Sequence, residues 1–103
     1  MTQFTKVEME LLESLKETDY FKDEDPAKSF EVKLSPMILT LKSPTFNALV
    51  YKESDRWLVK IGDEEPIKFL PGWAAISKYI FHRVGKEGYE SDEDPNLKEE
   101  DHE

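Results

Sequence analysis

Apolar and polar residues alternate along three stretches of the chain, and short polar connections separate these stretches from one another. The three stretches are residues 30–34, 37–42 and 57–61. Alternation with a period of two is typical of strands that have one buried face and one solvent-facing face. The connections are too short for the crossover that parallel neighbours require. This part of the sequence therefore predicts an antiparallel sheet.

The segment 44–52 is compatible with two structures. Ser43 followed by Pro44 is typical of the N-cap and first residue of a helix, whereas residues 46–51 are rich in side chains that favour strands and are bounded by turn formers. We predict a strand, because a hairpin between 46–52 and 57–61 gives the Trp57 strand an antiparallel neighbour. Pro66 then limits Ile67 to Phe69 to a short edge strand, so the predicted sheet has four or five strands.

Amphipathic helices are predicted before and after the sheet. The first runs from about Thr5 to Thr18, and Thr5 and Glu8 fit a capping box at its start. Its predicted apolar stripe consists of Phe4, Val7, Leu11, Leu12 and Leu15. The second helix runs from Trp73 to Val84 and ends before Gly85. The whole order predicts an α+β domain in which both helices pack on one face of an antiparallel sheet.

The net charge of −9 is concentrated near the end of the chain. Residues 1–88 carry 15 acidic and 13 basic side chains, a net charge of −2, whereas residues 89–103 carry eight acidic side chains and Lys98 alone, a net charge of −7. We therefore predict one domain over residues 1–88 and a disordered acidic tail over residues 89–103. The chain has no Cys, and no apolar run approaches the roughly 18 residues needed to cross a bilayer, so we expect a cytoplasmic protein without membrane association.

The search for catalytic motifs is negative. The sequence has no Gly-rich phosphate loop, no Gly-x-Ser-x-Gly nucleophile elbow and no His-Glu-x-x-His pair, and its only histidines are His82 and His102. Three acidic segments that end in proline, at 23–26, 63–66 and 92–95, lack the ligand spacing of an EF-hand. We therefore expect a non-enzymatic protein without a cofactor or a metal site.

The strand register decides which residues form the solvent face of the sheet. One alternating set consists of Glu31, Lys33, Ile38, Thr40, Asn47, Leu49, Tyr51, Leu58 and Lys60. Its apolar members, Ile38, Leu49, Tyr51 and Leu58, would make a patch of the kind that binds another protein. The first helix carries an acidic stripe of Glu10, Glu13 and Glu17. The favoured hypothesis is a small regulator or inhibitor that binds a partner protein through the sheet face, the acidic stripe or both.

Two other functions are compatible with the charges. In the first, the acidic stripe, the acidic tail and three aspartates between them, Asp19, Asp23 and Asp25, imitate a nucleic-acid backbone and inhibit a DNA- or RNA-binding enzyme. In the second, a small basic surface on and beside the second helix binds nucleic acid weakly. That surface would consist of Lys68, Lys78, His82, Arg83 and Lys86, with Tyr79 as an aromatic neighbour.

Overall fold

The computed structural model describes residues 2–85, which form two α-helices and a five-stranded sheet. The elements are α1 (Lys6–Glu17), a short 3-10 helix (Pro26–Lys28), β1 (Glu31–Leu34), β2 (Ile38–Lys42), β3 (Asn47–Glu53), β4 (Arg56–Ile61), β5 (Ile67–Phe69) and α2 (Ala74–Val84). The strands lie in the order β1-β2-β3-β4-β5, and every neighbouring pair is antiparallel. The predicted α+β class and antiparallel sheet are confirmed, as is a strand in the 44–52 segment. The predicted acidic tail and the predicted end of the domain lie outside the described residues.

Two Ser-Pro pairs form the first two hairpin turns. The backbone N–H of Ser35 donates to the carbonyl of Ile38, and that of Ser43 donates to the carbonyl of Phe46, both at 2.9 Å. Each serine hydroxyl also accepts a hydrogen bond from the backbone N–H three residues later, at 3.2 Å in both turns. A hydrogen bond from a backbone N–H to a nearby serine hydroxyl stabilises a turn and competes with helix formation. The Ser43 turn thus explains why β3, and not a helix, follows Pro44.

Alternate strand residues form the buried face of the sheet. Leu39, Val50 and Val59 are paired in one row across β2, β3 and β4, and all three are essentially buried. The same hydrophobic cluster contains Leu12 of α1 and Ile80 of α2. Both helices and the sheet therefore contribute to one hydrophobic core, and the packing of both helices on a single face stays a prediction. No helix among residues 2–85 is long and apolar enough to cross a membrane.

The buried side of α1 differs from the predicted stripe. Leu12 is fully buried, but Val7 and Leu11 are 74% and 42% exposed. The predicted capping box is present, and Glu8 also accepts a hydrogen bond from the ammonium group of Lys52 at 2.9 Å. Lys52 is a buried residue of β3, so Glu8 lies on the side of α1 that faces the sheet. Leu12 is in the core cluster and Met9 and Leu15 pack against it. At about 100° per residue these three residues form one stripe with Glu8, and Val7 lies outside it.

Candidate binding face of the sheet

The strand register brings the predicted solvent-facing residues together on one side of the sheet. Ile38, Tyr51 and Leu58 are directly paired across β2, β3 and β4, and Leu49 is paired with Thr40 on one side and Lys60 on the other. Directly opposite residues of antiparallel strands share a face. We call this surface the open face. Its residues are Glu31, Lys33, Ile38, Thr40, Lys42, Asn47, Leu49, Tyr51, Glu53, Arg56, Leu58, Lys60 and Lys68.

The apolar centre of the open face is unevenly exposed. Ile38, Leu49 and Tyr51 are half-buried, whereas Leu58 is only 5% exposed. Leu58 is nevertheless absent from the core cluster that contains the other buried apolar residues. The positions directly opposite it are occupied by Tyr51 and Lys68, whose long side chains can cover a small neighbour. Leu58 therefore forms the floor of the patch, and the other three residues supply its accessible apolar surface.

The open face is basic although the chain as a whole is acidic. It carries five cationic side chains and two acidic ones, a net charge of +3, while residues 2–85 together carry −2. The cations are Lys33, Lys42, Arg56, Lys60 and Lys68. Arg56 pairs with the neighbouring Asp55 at 3.2 Å, and within the described part of the chain no ion pair involves the four lysines. These five cations, called the basic ring below, border the apolar centre. Glu31 lies opposite Lys42 and Glu53 lies opposite Arg56, so the border is predominantly and not uniformly positive, and its excess of positive charge attracts an acidic partner.

Two hollows border the open face near β1. The smaller, of about 180 Å³, is lined by Glu31, Lys33, Thr40, Lys42 and Asn47. The larger, of about 430 Å³, is lined by Lys22, Asp23, Pro26, Ser29, Phe30, Glu31, Lys42, Ser43 and Pro44. Both hollows share Glu31 and Lys42, so the indented surface continues from the sheet to the loop that precedes β1. No cluster of three or more acidic or His side chains that could hold a metal ion occurs among residues 2–85.

The acidic stripe lies on α1, apart from the open face. Glu10, Glu13 and Glu17 are all exposed, and residues 2–85 provide no ion-pair partner for any of them. Leu12, on the other side of the same helix, is buried in the core cluster. The stripe and the open face are therefore separate surfaces of opposite charge, and the structure does not combine them into one site.

Arg83, a member of the predicted basic surface, is held by two neighbours. Its guanidinium donates to both carboxylate oxygens of Glu64, and Nη1 also donates to the Tyr79 hydroxyl at 2.9 Å. The hydrogen bond from Arg83 lowers the pKa of Glu64, and the same bond raises the pKa of Arg83. Tyr79 is 5% exposed and packs against Phe69, with ring centroids 5.7 Å apart. This pair therefore offers neither a free cation nor a ring on which a base could stack.

The other members of the predicted basic surface are spread over the molecule. Lys68 lies on the open face, opposite Leu58. Lys78 is exposed on α2 and His82 is half-buried there, while Lys86 lies outside the described residues. Lys68 therefore belongs to the basic ring of the open face and not to a surface on α2.

The basic ring was not predicted from the sequence. Lys42 lies two residues after Thr40 and Arg56 lies two residues before Leu58, so the alternation that identified the solvent face also assigned these cations to it. The net charge of the alternating set, extended to Lys42 and Arg56, would have indicated a basic face. Comparison with protein-family models, with curated proteins and with solved structures gave no match to this chain.

Proposed function

We propose that this chain is a non-enzymatic protein-binding module whose open face binds an acidic surface of a partner protein. The observation that carries this proposal is the apolar centre of Ile38, Leu49 and Tyr51 inside a ring of cations. Protein interfaces commonly have an apolar core and a polar rim. The core residues supply affinity, and the charges at the rim steer encounter and select the partner. The complementary partner presents apolar side chains among carboxylates.

The composition of the open face favours a protein over a nucleic acid. Surfaces that bind single strands stack successive bases on aromatic side chains, and Tyr51 is the one aromatic residue of this face. Ile38 and Leu49 are aliphatic and suit apolar side chains of a protein. Residues 89–103 also carry a net charge of −7, which repels the phosphates of a nucleic acid.

A module without catalytic groups acts by occupying the surface of its partner. We therefore propose a regulatory or inhibitory role, in the cytoplasm as the lack of cysteine suggests. The exposed acidic stripe has no ion-pair partner among residues 2–85 and supports a second candidate, in which Glu10, Glu13 and Glu17 imitate phosphates and block a nucleic-acid-binding enzyme. The two candidates use different surfaces, so variants of each surface separate them.

The test is affinity capture from a lysate of the source organism with full-length proteins, at about 0.1 M and about 0.5 M salt. Two variants alter the open face: Leu49→Glu, and Lys60→Glu combined with Lys68→Glu. A matched control, Lys6→Glu combined with Lys78→Glu, makes the same charge change at exposed helix positions. We expect at least one protein that wild type and control retain and that both open-face variants lose. If both open-face variants capture the same proteins as wild type, the proposal is contradicted.

A second arm addresses the competing ligand class. Fluorescent single-stranded DNA and RNA oligonucleotides are titrated with the same four proteins, and binding is followed by anisotropy. We expect no saturable binding near physiological salt. Tight binding that Lys60→Glu and Lys68→Glu abolish would instead assign the open face to nucleic acid.

A further inference from the structure

We propose that the chain's own acidic segment, residues 89–103, occupies the open face in cis and competes there with the partner. This inference rests on the proposed function, because it assigns a regulation to the same surface. It follows from three features: the charges of the segment and of the face, the length of chain beyond Gly85, and the apolar residues within the segment.

The charges make the open face the preferred target for this segment. Residues 89–103 carry eight acidic side chains and one lysine, and the open face carries a net charge of +3. The remainder of residues 2–85 carries −5, and the acidic stripe of α1 belongs to it. Opposite charge therefore draws the segment to the sheet and like charge keeps it from α1. Attraction between charges at a protein surface weakens as salt is raised.

The segment is long enough to reach the open face from the end of α2. Gly85 ends α2 in a left-handed conformation with φ of 79°, and eighteen residues follow it. Eighteen extended residues span up to about 60 Å, whereas the longest principal-axis extent of the molecule is 35 Å. Leu97 lies twelve residues after Gly85, and these residues can span up to about 40 Å, so this part of the segment can reach the open face.

The segment also carries apolar residues for the centre of the face. Tyr89 and Leu97 are its large apolar side chains, and Asp92, Glu93 and Asp94 lie between them. This arrangement matches an apolar patch surrounded by lysines. Because the segment is tethered, its effective concentration at the face is of millimolar order, so even weak contacts give substantial occupancy. Occupancy in cis reduces the fraction of chains that can accept a partner and weakens apparent binding accordingly.

The absence of cysteine allows a direct test in the full-length chain. A nitroxide on Ser91→Cys is then the single spin label, and its broadening of backbone amide signals is measured by NMR against a diamagnetic label. We expect broadening at Thr40, Leu49 and Lys60 in low salt, and its loss at about 0.5 M salt. Glu13 on α1 should be unaffected. A chain that also carries Lys33→Gln, Lys60→Gln and Lys68→Gln should lose the broadening at the open face.

Three results would overturn the proposal. The first is no broadening at the open face in low salt, and the second is equal broadening at α1. The third is broadening of an isotope-labelled chain by a spin label on a separate copy, which would assign the contact to a second molecule. None of these results would contradict the proposed binding of a partner protein. That binding is tested separately, by the capture experiment and its open-face variants.

A tail variant links the segment to partner binding. Glu90→Gln, Asp92→Asn, Glu93→Gln and Asp94→Asn together remove four charges and keep the length of the chain. A retained partner should bind this variant about fivefold more tightly in low salt, because the cis competitor is weakened. A synthetic peptide of residues 89–103 should restore the weaker binding. Unchanged affinity would reject the regulation and leave the proposed function standing.

Discussion

Removing the carboxylate of Glu8 should destabilise the protein more than removing a surface charge does, because this group serves two parts of the fold. One of its oxygens accepts from the backbone N–H of Thr5 at 2.7 Å and from the ammonium group of Lys52 at 2.9 Å. The side chain of Lys52 is 10% exposed and that of Glu8 is 21% exposed. The carboxylate therefore both caps α1 and balances a nearly buried cation of β3.

The structure gives the size of the effect. Loss of the hydrogen bond that the Glu8 carboxylate accepts from the Thr5 N–H costs about 1 kcal/mol, while the Thr5 hydroxyl still caps α1. Breaking a fully buried ion pair costs about 3–5 kcal/mol, because a charge is left buried without its partner. The penalty is smaller here, about 1–2 kcal/mol, because Glu8 retains some contact with water. Glu8→Ala should therefore lower the free energy of unfolding by about 2–3 kcal/mol in total.

The assay is urea denaturation followed by tryptophan fluorescence, since Trp57 is 2% exposed and lies against Phe4 in the core. Lys52→Met keeps the aliphatic length of the side chain and removes the charge. In that background Glu8→Ala should lower the free energy of unfolding by only about 1 kcal/mol, because only the hydrogen bond from the Thr5 N–H is lost. The coupling free energy between the two sites should therefore be about 1–2 kcal/mol. If Glu8→Ala costs the same with Lys52 present and absent, the account of the ion pair is wrong.

The pH dependence follows from the same contacts. Partial burial acts to raise the pKa of Glu8, but the hydrogen bonds from Thr5 and Lys52 outweigh it, so the pKa lies below its ordinary value of 4.5. Because the pKa is lower in the folded state, the stabilisation is complete above 4.5 and is lost as the pH falls through the lowered pKa. The difference in unfolding free energy between wild type and Glu8→Gln should therefore narrow in acid. A difference that stays constant there would contradict this assignment.

Further predictions concern the two helices. Leu12→Ala should cost about 3 kcal/mol, because the side chain is fully buried, whereas Leu11→Ala should change the unfolding free energy by less than about 0.5 kcal/mol. Equal effects in urea denaturation would contradict the observed orientation of α1. Arg83→Gln should cost about 1 kcal/mol, because the buried Tyr79 hydroxyl loses its charged donor. Glu64→Gln should cost less than Arg83→Gln, since Glu64 is exposed, and a larger effect of Glu64→Gln would show that the ion pair dominates.

The arrangement of the sheet could be predicted from the sequence because its signals are local. Alternation at residues 37–42 and 57–61 assigns each residue to a face, and the short polar connections impose antiparallel pairing. The Ser43-Pro44 turn was ambiguous because the same two residues suit a helix start. The predicted hairpin with the Trp57 strand favoured a strand, and the pairing of β3 with β4 confirms this prediction.

Neither the orientation of α1 nor the basic ring could be predicted from one segment of the sequence alone, because both depend on contacts between distant segments. Val7 lies on an apolar stripe by periodicity alone, but the side of α1 that packs on the core carries Met9, Leu12 and Leu15. Lys68 was considered part of a basic surface on and beside the second helix, and only its register opposite Leu58 in the three-residue β5 assigns it to the open face. The burial of Leu58 likewise depends on cross-strand neighbours and not on its own segment.

The most direct test of the central claim compares the affinity of a captured partner for two full-length variants. Leu49→Glu alters the open face at a position opposite Lys60, which provides a countercharge for the new carboxylate, and Glu13→Lys alters the exposed acidic stripe. Isothermal titration should give a dissociation constant at least about tenfold weaker for Leu49→Glu, equivalent to about 1.4 kcal/mol, and an unchanged one for Glu13→Lys. A loss of affinity in Glu13→Lys with none in Leu49→Glu would place the binding surface on α1 and contradict the account.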